Sequence, residues 1–211
     1  MKPAVVDPPE IHNTLWHGIN GTTGWDIGAN CGQTLPEMTG RFHTVHAFEP
    51  AAECRPWLDT WTRHRVTVWD YAVSDLDGDI ELTALPDKID TGQLVTAGTH
   101  GMEWNPEQPG AVTRTVPART VDSIAEQLGI PDFLKIDVEG HEMRVLAGAW
   151  QTLIDVRPDL LIEFHSPELH LRIQECLNHH GYRQIRTIRH PHYAIGTPMW
   201  LQHGWVRAAA E

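Results

Sequence analysis

The residues with chemistry to offer fall into two groups. The first is the run Asp26-x-Gly28-x-Asn30-x-Gly32, followed by Glu49. Glycines at 28 and 32 permit a tight turn and let backbone N–H groups approach a ligand at the start of a following helix. Glu49 follows Gly28 by about 20 residues, the offset at which an acid meets the hydroxyl pair of a ribose in nucleotide-binding sheets. Either feature could instead be a capped turn in an unrelated fold. A nicotinamide enzyme is the main rival, but it would show GxGxxG, whereas this loop reads Gly28-x-x-x-Gly32.

The second group is Asp137, Glu139, His141, Glu163 and His165. Asp137, Glu163 and His165 make a donor set for a divalent cation. Carboxylate oxygens suit Mg²⁺, which could bind an acceptor hydroxyl and acidify it; the same three could also be a hydrogen-bonded cluster with no metal. His141 is the candidate general base, because an ordinary imidazole pKa near about 6.5 matches the task. His165 is the alternative where it is not a ligand. Asp137 and Glu139 join His141 as catalytic candidates, and Glu139 and Glu142 could equally orient backbone or brace His141.

These residues need a scaffold, and the hydrophobic pattern supplies one. Thr22 to Ile27 reads as a strand, Gly28 to Gly32 as a turn and Gln33 to Thr39 as a short helix, with Pro36 tolerable near its first turn. Thr44 to Phe48 is a second strand. Ala51 to Arg63 is a helix with Trp57, Leu58 and Trp61 on one face, and Arg65 to Val73 is a third strand. A turn at Asp77-Gly78 leads into a hairpin extension at Ile80 to Leu82, and Pro86 to Gly110 is a long irregular segment of the kind that forms lids or binding loops. The alternation resumes with Val112 to Val116, a helix from Val121 to Leu128 capped by Thr120, and the strand Phe133 to Val138. A helix from Glu142 to Leu153, a strand from Asp159 to Phe164, a helix from Leu169 to His180 and strands at Tyr182 to Ile188 and Met199 to Val206 complete the pattern. The last strand could return antiparallel. Strands alternating with helices predict an α/β fold whose mostly parallel sheet is covered on both faces. Residues 1–20 read as an arm and 21–211 as a single domain, with 86–110 as a loop on the acceptor side.

Four separated motifs occur in order: Gly28-Ala29-Asn30-Cys31-Gly32, Phe48-Glu49-Pro50, Thr120-Val121-Asp122-Ser123-Ile124, and Leu134-Lys135-Ile136-Asp137-Val138-Glu139-Gly140-His141-Glu142 with Val145-Leu146-Ala147-Gly148-Ala149 after it. Together they resemble the FkbM family of S-adenosylmethionine-dependent methyltransferases over residues 22–190. The resemblance implies a Rossmann-like class I methyltransferase sheet of seven strands with a reversed last strand. It also implies S-adenosylmethionine as cofactor and O-methylation of a hydroxylated acceptor. It assigns Asp26, Gly28, Asn30 and Gly32 to the methionine and loop contacts, Glu49 to the ribose and Asp70 to the adenine. Trp25, where the family more often has an aliphatic residue, and Asp70-Tyr71, where an Asn is frequent, depart from its pattern and bear on the adenine contacts. Homodimerisation is a further expectation from the family.

Composition narrows the acceptor. A formal charge of −12 disfavours a phosphate backbone as partner, since nucleic-acid affinity is built from Lys and Arg contacts. No apolar run approaches the ~18 residues of a membrane span, and the first residues lack a signal-peptide pattern, so a cytoplasmic location is expected. Cys31, Cys54 and Cys176 are too few and too far apart for a disulfide framework. Trp104 in the long loop is a candidate sugar-stacking face. The expected activity is therefore methylation of a carbohydrate hydroxyl, with an oligosaccharide of the methylmannoside type as acceptor and metal or His assistance. The alternatives are a polyketide or other secondary-metabolite hydroxyl, and a binding protein that keeps the cofactor fold without catalysis.

Overall fold

Strand β1 (Gly21–Ile27) lies near the middle of the large sheet with its carboxyl half buried, and the site forms at that end. The computed structural model describes residues 15–84, 94–96, 112–189 and 204–210. The remaining strands are β2 (Phe42–Phe48), β3 (Val66–Trp69), β4 (Ala72–Val73), β5 (Gly78–Ala84), β6 (Leu94–Thr96), β7 (Val112–Arg119), β8 (Phe133–Ile136), β9 (Asp159–Phe164), β10 (Tyr182–Arg189) and β11 (Gly204–Ala210). The α-helices are α1 (Leu35–Arg41), α2 (Arg55–Leu58), α3 (Val121–Leu128), α4 (Glu142–Ala147), α5 (Trp150–Asp155) and α6 (Pro167–His179).

The large sheet has seven strands in the order β10-β11-β9-β8-β1-β2-β3. Strands β9, β8, β1, β2 and β3 pair in parallel, and β11 pairs antiparallel with both β9 and β10. This is the mostly parallel, seven-stranded sheet with a reversed last strand that the resemblance implies. Side chains alternate across it with period two. Trp25, Ile27, Leu134, Ile136, Leu160 and Ile162 pack into one core with α4 and α6, while Phe133 and Leu161 join Leu35, Met38 and Phe42 in the other. Leu15, Trp16 and Ile19, just ahead of β1, also pack into this second core. Among the described residues no helix is long and apolar enough to cross a membrane.

Several elements depart from the expected ones, each for a local reason. The helix predicted over 51–63 breaks into a 3₁₀ turn at Ala52–Cys54, α2, and a second 3₁₀ segment at Asp59–His64. Pro56, lacking an N–H, starts a new helix instead of extending the turn before it. The Thr60 and Thr62 hydroxyls donate to the Trp57 and Asp59 carbonyls, competing with the backbone ladder, and Trp57 is left half exposed. The strand predicted over 65–73 splits at Asp70-Tyr71. Its second part, β4, joins a separate four-stranded sheet in the order β4-β7-β5-β6, packed around Ala72, Leu82, Val116 and Ala118. The helix predicted over 142–153 divides at Gly148, whose absent Cβ would sit 2.0 Å from the Ser74 carbonyl oxygen. Asp122 then caps the new start by accepting from the Gln151 and Thr152 N–H groups. Of the 86–110 loop only β6 is described, and Trp104 lies outside the described residues.

Candidate active site

The loop after β1 takes its shape from three left-handed residues, Gly28 (φ 76°), Asn30 (φ 48°) and Gly32 (φ 87°). At Gly28 the glycine is compulsory twice over, because an added Cβ would also lie 1.8 Å from the Asp137 carbonyl oxygen. The Gly28 and Ala29 N–H groups donate to the Phe48 carbonyl, tying the loop to the end of β2. Glu49, just past β2, accepts from the Asn30 N–H through Oε2 (2.9 Å) and from the Ala51 N–H through Oε1 (2.8 Å). Burial pushes the Glu49 carboxyl up to about 7, against the pull of those N–H groups and of Lys135.

Opposite this wall β8 delivers a second one. Asp26 and Lys135 are register partners across β1 and β8, and both side chains are buried. The Lys135 ammonium lies 3.0 Å from Asp26 Oδ1 and 3.3 Å from Asp137 Oδ2, and donates to the Gly28 carbonyl at 2.8 Å. Burial would deprotonate it, but Asp26 and Asp137 hold its pKa well above the usual lysine range. Burial would likewise raise Asp137, yet Lys135 and His165 keep it below the usual carboxylate value. The other Asp26 oxygen accepts from Thr34 Oγ1 at 2.5 Å.

His165, at the end of β9, is the hub of the acidic cluster. Its Nδ1 lies 2.9 Å from Glu142 Oε1, and its Nε2 faces Glu139 Oε2 (3.5 Å), Asp137 Oδ1 (3.7 Å) and Glu163 Oε1 (4.0 Å). Burial alone would lower its pKa; Glu139 and Glu142 instead raise it well above the imidazole range. Glu142 Oε1 also accepts from the Gly140 N–H at 3.0 Å, closing the turn that carries Glu139 in a left-handed conformation (φ 53°). Asp137, Glu163 and His165 each place one donor atom within 4.8 Å of the others. His141, the N-cap of α4, is buried, and its Nε2 lies 2.9 Å from Ser74 Oγ. Burial and the nearby Arg144 guanidinium lower its pKa, opposed by Glu142 and Asp75.

A small cleft, with a cavity volume of about 60 Å³, joins the two walls. Gly28, Asn30 and Glu49 line one side, Asp137, Glu139 and His141 the other, and Phe48, Ala72, Val73 and Leu82 supply apolar surface. Six of the sequence-predicted residues thus meet in one cavity, with Glu163 and His165 behind Asp137. Asp26 and Gly32 do not line it: Asp26 is spent on Lys135 and Thr34, and Gly32 packs under Trp61. Asp70 is exposed beyond β3 and also stands outside the lining. Glu142 braces His165, and Ser74 is a polar partner of His141. Lys135, Glu142 and Ser74 are the residues sequence reasoning undervalued. The available signal was a lysine inside the apolar run Phe133 to Ile136, since a buried ammonium is hardly ever left unpaired.

Known proteins resemble this chain in sequence and fold. A hexuronic acid methyltransferase, AglP of Haloferax volcanii, is 28% identical over 150 residues, 67% of this chain and 55% of that protein. The chain thus spans little more than half the length of that curated relative. Among solved structures, an FkbM methyltransferase from Methylobacillus flagellatus superposes with a TM-score of 0.59 at 19% identity, over 96% of this chain and 48% of the other. The N-methyltransferase NodS from Bradyrhizobium japonicum, in complex with S-adenosyl-L-homocysteine, superposes with a TM-score of 0.52 at 6% identity, over 95% of this chain and 84% of the other. At such identities the two structures speak to the fold alone. The methyltransferase FkbM domain matches residues 26–184, most of the chain including both walls of the cleft, and the chain belongs to that family.

Proposed function

We propose that this chain transfers the methyl group of S-adenosylmethionine to a hydroxyl of a carbohydrate, with an oligosaccharide of the methylmannoside type as the first acceptor to test. The observation that carries the reading is the two-walled cleft. A glycine loop with a carboxylate at ribose spacing faces an imidazole set among acids. The preference for a sugar draws on the hexuronic acid methyltransferase relative.

On this reading the ribose hydroxyls donate to Glu49, whose carboxylate keeps acceptor capacity beyond the two backbone N–H groups it holds. The methionine portion runs along Gly28 and Asn30. Asp26 and Gly32 act from behind, by holding Lys135 and the loop backbone. Asp70 follows Trp69, whose carbonyl accepts from the Glu49 N–H, and is the candidate for the adenine edge. The reaction breaks the S–CH₃ bond and forms an O–CH₃ bond. Sulfur leaves as the neutral thioether of S-adenosylhomocysteine, and the hydroxyl proton passes to His141. Holding the oxygen in line with the methyl group is the main task, and a positioned base adds roughly 10²- to 10⁴-fold. A lowered pKa keeps His141 neutral, and so able to accept that proton, around neutral pH.

Asp137, Glu163 and His165 fit a divalent cation. Their donor atoms converge, and burial beside neighbouring carboxylates raises the Glu139 and Glu163 pKas, a cost of crowded negative charge that a cation would relieve. They would hold Mg²⁺, which supplies a Lewis acid that lowers the pKa of the acceptor hydroxyl. The test is formation of S-adenosylhomocysteine with partly methylated mannooligosaccharides, run before and after EDTA and again with Mg²⁺, alongside His141→Ala. Turnover lost on chelation, restored by Mg²⁺ and absent in His141→Ala is the expected result. Full activity after exhaustive chelation removes the metal, full activity of His141→Ala removes the base, and turnover only with polyketide acceptors removes the sugar.

A further inference from the structure

Ser74 stands immediately after β4 with its side chain fully buried and two polar neighbours. Its Oγ lies 2.9 Å from His141 Nε2 and 3.0 Å from Asp75 Oδ1. A serine hydroxyl has one proton to give. Asp75 Oδ2 lies 3.4 Å from the Arg144 guanidinium, so Asp75 is a carboxylate and can only accept. Were the Ser74 proton turned toward His141, hydroxyl and carboxylate oxygens would face each other 3.0 Å apart as two acceptors. Both contacts are satisfied together in one arrangement, with Ser74 donating to Asp75 and the His141 Nε2–H donating to Ser74.

The backbone keeps this geometry in place. The Ser74 N–H donates to the Arg119 carbonyl at 2.9 Å, which fixes it beside the end of β7. The Ser74 carbonyl oxygen packs on Gly148 so closely that a Cβ there would stand 2.0 Å away. Gly148 is the C-cap of α4 and His141 its N-cap, so the same short helix is braced on Ser74 at both ends. From this we propose that Ser74 and Asp75 are positioning residues that fix His141 in its Nε2–H tautomer and make Nδ1 the basic nitrogen. The catalytic consequence rests on His141 being the base; the tautomer does not. A base held in the wrong tautomer is ineffective even when its geometry survives, because the nitrogen that should accept already carries a proton.

Long-range ¹H–¹⁵N correlation spectra of the full chain, with His141 assigned through His141→Ala, read the tautomer directly. The wild-type protein is expected to show a protonated Nε2 and an unprotonated Nδ1 on neutral His141. Ser74→Ala removes the acceptor, and Asp75→Asn removes the group that commits the Ser74 proton, so both should shift population toward the Nδ1–H form. Both should also lower kcat on the order of tenfold or more with the KM for S-adenosylmethionine unchanged. Asp75→Asn leaves the buried packing intact and serves if Ser74→Ala fails to fold. An Nδ1–H tautomer in the wild type, or an Nε2–H tautomer that persists in both variants, overturns the proposal. The expected tautomer shifts together with full turnover of His141→Ala would instead sink the reading of His141 as base.

Discussion

The two walls of the cleft handle buried charge in different ways. On the Gly28 side the acid, Glu49, is held by backbone N–H groups that the loop presents because glycine and asparagine adopt left-handed conformations. On the Asp137 side the acids are held by side chains, with Lys135 and His165 each shared among several carboxylates. The geometry of the first wall is written into the chain path. The second is a balance of charges that one substitution can upset.

Lys135→Met should give the largest effect and strikes the second wall directly, with the loss of its bond to the Gly28 carbonyl reaching the first. It leaves Asp26 and Asp137 buried or half-buried without their ammonium, and removing one partner of a buried pair costs about 3–5 kcal/mol. Urea denaturation should register that loss, and a variant as stable as wild type would mean that Lys135 does not hold the two strands' acids together. Gly28→Ala is the corresponding blow to the first wall. It combines a left-handed alanine with a Cβ forced against the Asp137 carbonyl, a strain of roughly 2–4 kcal/mol. At about 2–4 °C per kcal/mol for a chain of this size, Tm should fall by roughly 4–16 °C. Because the clash is with the backbone just past β8, this variant should disturb both walls at once; an unchanged Tm would show that the loop can move away from β8.

The difference between the walls also explains what could be read from the amino-acid order. Gly28, Asn30, Gly32 and Glu49 were legible because backbone conformation needs particular residue types at particular spacings. The strands of the large sheet were legible because period-two burial on both faces leaves apolar runs such as Phe133 to Ile136. What each member of the second wall pairs with was not. His165 meets Glu142 across 23 positions and Ser74 meets His141 across 67, and such pairings follow from strand order and not from local pattern. The same limit hid the small sheet, since β4 looks like the end of β3 until it turns to pair with β7. The helix predicted over 142–153 divides at Gly148, where the close approach of the Ser74 carbonyl comes from 74 positions away.

The smallest effect, and the one that separates the walls most cleanly, is on the pH dependence of cofactor binding through Glu49. Its carboxyl titrates at about 7 in the folded chain against 4.5 in the unfolded one, because burial penalises the charge. The sign follows: the protonated form is favoured by folding, so this group's contribution to stability is fully present below about 4.5 and lost as pH rises through 7. Ribose hydroxyls that donate to Glu49 favour the opposite state, the carboxylate. Cofactor binding should therefore release a proton and tighten by about tenfold between pH 6 and pH 8, as the ionised fraction rises from roughly a tenth to nine-tenths. Calorimetry across that range, in buffers of different ionisation enthalpy, measures both the affinity and the proton. Glu49→Gln should flatten the profile while leaving the Asp137 wall unchanged. A wild-type affinity that stays level from pH 6 to pH 8 would detach Glu49 from the ribose and leave it as a brace for the Asn30 loop.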